Sequence, residues 1–407
     1  MTRRGKSDEG VSSLHYAVVY ALLRSPLTRH SIRCDTLPHK GGREKSAFGG
    51  IRIGDCMKHT IFGESHGPAI GVVLTEVPSG IVFDEELIKA ELLRRATGKN
   101  ALSTARKEKD QVEVLSGVFE GKTTGTPLCM IIRNGDQHSK DYAAIKDLAR
   151  PGHGDYTGFL RYEGCNDYRG GGHFSGRLTA PLVAAGAVAK MILREKGVEI
   201  GAHIASIGGI RDESLDMARP DMPRLRAVSE KPFPALSDEA GEKMQELILK
   251  CREEQDSVGG EITCYVTGIP AGLGAPDFDK NAETVFSRQM FAIPAVKAIA
   301  FGAGFGFANM RGSEANDAFS MENGEIKTLT NHNGGILGGI TSGMPVVFTL
   351  AVKPTPSIAR EQQTVDFRRK ENTTIAVTGR HDPCILHRAV PVVEAAAALA
   401  AVELMKL

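Results

Sequence analysis

Hydrophobic and polar positions change period several times along the chain, and each change marks an element. Thr60-Ile61-Phe62-Gly63 is an apolar, strand-like run that ends in a turn, and Ile70 to Thr75 reads as the next strand. Asp84-Glu85-Glu86 then opens a helix carrying Leu87, Ile88 and Leu92. Glu85/Lys89 and Glu91/Arg95 sit at supportive i,i+4 spacing, and the helix closes at Arg94-Arg95 ahead of Gly98. The apolar stretch from Leu178 to Lys196 predicts a second helix, with Thr179 as its cap and Pro181 in its first turn. It carries no charge before Lys190, so it belongs in a core or a subunit interface. Ser237 to Glu254 is amphipathic, with Met244, Leu247, Ile248 and Cys251 on one face. Glu261 to Thr267 alternates as a strand, Val346 to Val352 forms another, and an Ala-rich helix closes the chain. Ile293 to Lys297 and Met310 to Glu314 read as loops beside apolar runs. Strands and helices do not alternate as βαβ units would, so the predicted class is α+β and not a doubly wound parallel sheet.

Composition narrows the function classes. A chain of 407 residues with 41% hydrophobic and 24% charged residues is a soluble globular protein with room for a large core. A formal net charge of +1 provides no global basic field, so nucleic acid is not an expected partner and any anion site must be a local cluster. Seven cysteines without CxxC spacing predict reduced thiols and a cytoplasmic location. Charge interrupts every apolar stretch short of about 18 residues, so no membrane span is predicted. Near the N-terminus, Arg3-Arg4 followed by Leu14 to Leu23 faintly resembles a signal peptide, but Asp8, Glu9, His15 and Tyr16 break its chemistry. Residues 1–45 are read as a poorly ordered extension and 46–407 as one large catalytic domain.

The chemistry-bearing residues collect in glycine-rich turns. Gly63-Glu64-Ser65-His66-Gly67 and Arg150-Pro151-Gly152-His153-Gly154-Asp155 each hold a histidine between glycines beside a carboxylate. Histidine titrates near neutral pH and suits acid–base work. Asp167-Tyr168-Arg169-Gly170-Gly171-Gly172-His173-Phe174-Ser175-Gly176-Arg177 combines a triple glycine with a hydroxyl and cations just before a helix, a setting for a phosphate or carboxylate. Arg95, Lys99, Arg106 and Lys107 form a basic cluster, and Lys353-Pro354-Thr355-Pro356-Ser357 carries a cation and two hydroxyls on a proline-stiffened segment. Three apparent motifs are set aside. Gly117 to Thr123 is one residue short of a P-loop, Gly302 to Gly306 lacks the last glycine of a dinucleotide fingerprint, and His381, Cys384 and His387 lack a fourth ligand. No metal is expected. The residues alone describe an enzyme with histidine acid–base groups and a cationic pocket for a phosphorylated polyanion.

Together, the two Gly-flanked histidine motifs, the triple-glycine loop, the basic cluster, Gly335-Ile336-Leu337-Gly338-Gly339, Lys353-Pro354-Thr355 and Gly379-Arg380-His381-Asp382-Pro383 resemble chorismate synthase, in family order from about Phe48 to Leu407. The resemblance implies a layered α+β sandwich of antiparallel sheets and helices, assembled as a homotetramer. It implies anti-1,4 elimination of phosphate from 5-enolpyruvylshikimate-3-phosphate, giving chorismate in the shikimate pathway to aromatic amino acids. Reduced FMN would be required with no net redox change. NADPH would enter only as an indirect reductant, with a separate flavin reductase as a candidate partner.

By motif match, His66 would protonate the leaving phosphate, His153 would protonate reduced flavin N1, and Asp382 would assist proton removal at N5, with Ser175 beside them. His173, Phe174, Ser175, Pro294, Ala295, Gly338, Lys353, Pro354, Thr355, Pro356, Ser357 and Arg380 fall where the family contacts FMN. Arg95, Arg106 and Arg177 fall where it meets substrate or a nicotinamide donor. Two positions depart from the common pattern. His173-Phe174-Ser175-Gly176-Arg177 replaces Arg-Ser-Ser-Ala-Arg, and Ala101 stands where many members carry arginine. Retention of the motifs without activity, and a flavin-independent phosphate lyase or transferase, remain the alternatives at this level.

Overall fold

Two antiparallel sheets enclose a layer of apolar helices. The computed structural model describes residues 56–97, 102, 110–135, 145–377 and 381–407; the N-terminal extension, Ala101, Arg106 and Arg380 lie outside the described residues. The first sheet contains β1 (Lys58–Gly63), β2 (Ala69–Thr75), β3 (Val112–Ser116) and β4 (Leu128–Arg133), in the order β1-β2-β4-β3. Ile70, Val72 and Leu74 pair with Ile132, Met130 and Leu128, so the period-2 pattern turns one fully buried face toward the helices. Helix α1 (Glu85–Arg95), capped by the Asp84 side chain on Leu87 N, links β2 to β3.

After α2 (Asp155–Arg161), helix α3 (Thr179–Arg194) packs against β2 and β4 on one side. On its other side it meets the C-terminal helix α7 (Leu386–Met405). These two helices approach so closely that a Cβ on Gly186 would lie 2.3 Å from Ala395 Cβ. With the turn before it, α3 makes a helical run, Gly176–Arg194, apolar and long enough to cross a membrane, but it lies buried in this core. The helix begins at Thr179, so Thr179 is its first residue and not its cap; its hydroxyl instead donates to Gly176 O at 2.6 Å.

Helix α7 rests on the second sheet, formed by β5 (Glu199–Ile207), β6 (Ile210–Arg211), β7 (Gly260–Thr267), β8 (Val296–Phe301) and β9 (Val346–Val352) in the order β8-β9-β7-β5-β6. Ile204, Ile262 and Leu350 stand in one cross-strand row and Ala202, Cys264 and Phe348 in the next, all fully buried. Helices α4 (Met222–Glu230), α5 (Asp238–Glu253) and α6 (Ala282–Phe291) surround this sheet. Val296 and Lys297, expected in a loop, begin β8, because Val296 pairs with Val352 across the ladder. The hairpin of β10 (Gln362–Asp366) and β11 (Glu371–Ile375) leads back toward α7.

The expected helix pairs rearrange as well. Lys89 bonds Glu86, three residues before it, and Glu91 turns from Arg95 to Arg94 and Lys190. Arg94 and Lys190 both bond Glu394 of α7, at 2.6–2.8 Å, which joins three helices through one buried ionic cluster. Burial alone would push the Glu394 carboxyl up, but Arg94 and Lys190 hold it below the usual carboxylate range.

Candidate active site

The first histidine sits in the β1–β2 turn. Asn134, just past β4, donates to Glu64 O at 3.1 Å and Gly67 O at 2.9 Å and so closes that turn. Ser65 and His66 are both buried there, with Ser65 Oγ 3.1 Å from His66 Nδ1. The same hydroxyl donates to Arg169 O at 3.3 Å. With its one hydrogen used there, it accepts from His66 Nδ1, and proton exchange falls to Nε2.

The second histidine is held by an ion pair. Arg150 is buried and grips Asp155, the first residue of α2, with Nε–Oδ2 and Nη2–Oδ1 both at 2.7 Å. His153 Nδ1 lies 2.8 Å from Asp155 Oδ1 and 3.1 Å from Arg150 Nη2. The shorter carboxylate contact places the proton on Nδ1 and leaves Nε2 against Gly171. Burial would raise the Asp155 pKa, but the hydrogen bonds from Arg150 and His153 outweigh it and keep this carboxylate ionised far below its usual range.

The triple-glycine loop runs between the two imidazoles. Gly170, Gly171 and Gly172 all adopt positive φ, at 60°, 89° and 53°. A Cβ on Gly170 would lie 2.0 Å from His66 Cε1, and one on Gly171 would lie 3.1 Å from both Cε1 and Nε2 of His153. Left-handed backbone and absent side chains are both required, because any side chain would displace a histidine. His173, the departure from the family pattern, is exposed and pairs through Nδ1 with Gly63 O at 2.9 Å. Phe174 packs over Gly154 and Gly158 of the His153 segment. Ser175 Oγ accepts from Arg177 N at 3.3 Å.

The proline-stiffened segment docks on the same region. Ser357 Oγ lies 3.3 Å from Arg150 Nη1, Lys353 Nζ donates to Gly152 O, and Pro356 faces Gly152. Lys353 N donates to Ala295 O at 3.0 Å, and Ala295 holds φ +75, an uncommon conformation for a residue with a Cβ. Pro354 packs against Gly259, and Thr355 O accepts from Ser257 Oγ at 2.7 Å. Thr355 Oγ1 is buried with no hydrogen-bond partner among the described residues.

The two arginines expected at the substrate meet on one carboxylate. Arg95 Nη1 donates to Asp110 Oδ2 at 2.8 Å, and Arg177 Nη1 donates to Asp110 Oδ1. Asp382 is bonded by Arg388, whose Nε donates to Arg95 O at 2.9 Å, so this carboxylate joins the arginine side of the site. Pro294 is exposed in the turn between α6 and β8, and Gly338 lies in a small hairpin whose Gly339 accepts from Ala282 N at the start of α6. Arg106 and Arg380 lie outside the described residues.

Three residues not singled out from the sequence take part, and a fourth gains a role there. Asp110, Asn134 and Arg388 carry no local signal, since their partners lie far along the chain. His381, which showed only metal-like spacing, is held neutral. Burial and the Arg150 charge push its pKa down to about 4, against the opposing pull of Asp382. No cluster of three His, Cys, Asp or Glu side chains arranged for a metal occurs among the described residues.

The arrangement sets two imidazoles on a glycine loop, beside buried guanidiniums and carboxylates, which suits protonation of a leaving anion. Residues 57–405 match the chorismate synthase family model. A chorismate synthase from Methanosarcina mazei is 48% identical over 347 residues, covering 85% of this chain and 93% of the relative. One from Pyrococcus abyssi is 47% identical over 342 residues, covering 84% and 93%. A crystal structure of a chorismate synthase superposes with a TM-score of 0.69 at 28% identity, covering 86% of this chain and 92% of that one. With the match running from the residue before the first strand to the end of the last helix, the chain belongs to the chorismate synthase family.

Proposed function

We propose that His66 and His153 are the proton-handling pair of this carbon–oxygen lyase, acting across the triple-glycine loop on 5-enolpyruvylshikimate-3-phosphate. The observation that carries the reading is the loop itself: Gly170 and Gly171 each touch one imidazole and leave no room for a side chain. His66 gives its Nε2 proton to the phosphate oxygen as the carbon–oxygen bond breaks. Arg95, Arg177 and Arg106 meet the substrate's anionic groups, for which guanidinium forks are suited.

The family chemistry calls for reduced FMN, and this chain's residues fit it. Thr355 Oγ1 is a buried hydroxyl without a partner among the described residues, on the segment whose Lys353 bonds Gly152 O and whose Ser357 meets Arg150. A backbone of three positive-φ glycines permits close approach of a flat ring. His173, Phe174, Ser175, Pro294, Ala295, Gly338, Lys353 to Ser357 and Arg380 would hold it. Bound there, reduced flavin would supply electron density to the substrate ring and a site for the departing hydrogen, with no net redox change. By the family motif, His153, oriented by Asp155, would serve the flavin N1 through its Nε2, and Asp382 would assist proton removal at N5. NADPH serves only indirectly, through a separate flavin reductase. The protein works as a cytoplasmic homotetramer whose catalytic domain spans 46–407.

Anaerobic turnover with and without chemically reduced FMN, following chorismate and free phosphate, tests this. Product only with reduced flavin is expected. Phosphate released without flavin would instead identify a flavin-independent lyase. Replacing His66 or His153 by alanine is expected to lower the rate about 10²–10⁴-fold with folding intact; near-wild-type activity in both variants removes their role.

A further inference from the structure

We infer that Asp110 is a positioning residue for substrate recognition, the carboxylate that fixes the spacing of Arg95 and Arg177. This rests on the reading that those two arginines meet the substrate. Asp110 spends one oxygen on each guanidinium, Oδ2 on Arg95 and Oδ1 on Arg177, and all three side chains are only 3–4% exposed. Each arginine is anchored again on its far side. Arg95 Nε donates to Thr179 Oγ1 at 2.8 Å and its Nη2 to Gly176 O at 3.2 Å. Arg177 Nε donates to Asn134 Oδ1 at 3.3 Å. Asn134 is the amide that closes the His66 turn, so the arginine pair and the general acid share one hydrogen-bonded frame.

The geometry calls for a carboxylate at this position. Asparagine offers one acceptor oxygen and would set an NH₂ group against the second guanidinium. Glutamate keeps the charge but is one methylene longer, which shifts both forks together. A long arginine side chain carries considerable rotamer entropy, and a fork held in place before binding does not lose it again when the substrate arrives. Loss of Asp110 therefore falls on substrate capture more than on the chemical step.

Steady-state kinetics of the full chain with reduced FMN decide the matter. Asp110→Asn is expected to raise KM for 5-enolpyruvylshikimate-3-phosphate about 10- to 100-fold, with kcat within about threefold of wild type. Because Asp110 acts only through the two arginines, D110N combined with R177A should raise KM by less than the product of the two single effects. Wild-type KM in D110N, while R95A and R177A each raise KM, overturns the positioning role and leaves the arginine reading standing. Multiplying effects in the double variant overturn it too. Wild-type KM in R95A and R177A overturns both together. If D110N does not fold, Asp110→Glu takes its place: a several-fold rise in KM at constant kcat supports the role, and an unchanged KM overturns it.

Discussion

Replacing Gly170 with alanine tests the central geometry of the site. The backbone at Gly170 sits at φ 60 and ψ 12, where a Cβ costs about 1–2 kcal/mol. The added carbon would fall 2.0 Å from His66 Cε1, 2.2 Å from Nδ1 and 3.0 Å from Ser65 Oγ, against a van der Waals contact of 3.4–4 Å. His66 is buried and its Nδ1 is engaged by Ser65, so the ring cannot swing aside without breaking that bond. Overpacking of this kind costs a further 1–3 kcal/mol or so. Either the loop or the imidazole must move by about 1.5 Å, and a misplacement on that scale lowers rate about 100-fold or more. Expected, then, are a destabilisation of about 2–5 kcal/mol by urea unfolding and a kcat reduced at least about 100-fold in the anaerobic assay. Gly176 is the control: a Cβ there meets nothing within 4 Å, so Gly176→Ala should keep both properties. A G170A enzyme with kcat within threefold of wild type would refute the claim that the loop positions His66.

Three other outcomes follow from the same contacts. Asp155→Asn removes the acceptor that fixes the His153 tautomer and releases Arg150, so kcat should fall about 10²–10⁴-fold while circular dichroism stays native; unchanged kcat would show that the pair is only structural. His381 takes up a proton near pH 4 when folded and near 6.5 when unfolded, so folding expels a proton between those values and stability falls as pH drops from 6.5 to 4, by at most about 3 kcal/mol. In His381→Asn, urea midpoints at pH 7 and pH 4.5 should therefore differ less than in wild type, and equal differences would contradict the assignment. Glu394→Ala leaves Arg94 and Lys190 to share Glu91 alone, and chemical denaturation should reveal a loss of about 2–4 kcal/mol; a loss below about 1 kcal/mol would mean that the cluster is relaxed by water.

The element types were readable from the chain because they depend on near neighbours. The period-2 run at Ile70 to Leu74, the Asp84 cap and the uncharged stretch after Leu178 each express a local rule, and each element forms where that rule puts it. Local rules failed where a distant group competed. Thr179 lies inside its helix and binds Arg95, and Glu91 prefers Lys190 to Arg95. The two Gly-flanked histidines and the triple glycine were also visible, as clusters of permissive backbone beside titratable groups.

Which glycine faces which histidine was not visible, because Gly170 and His66 are 104 residues apart and only the packing of the β1–β2 turn against the loop brings them together. The same holds for Asp110 between Arg95 and Arg177, and for the neutral state of His381, which depends on burial and on the charge of Arg150. By itself the sequence determined several of the strands and helices and the residue types that can do proton chemistry, since hydrophobic period and backbone preference act over a few residues. The tertiary structure alone decided their spacing, tautomers and charge states. Those depend on low-dielectric contacts between segments far apart in the chain, and no local pattern encodes them.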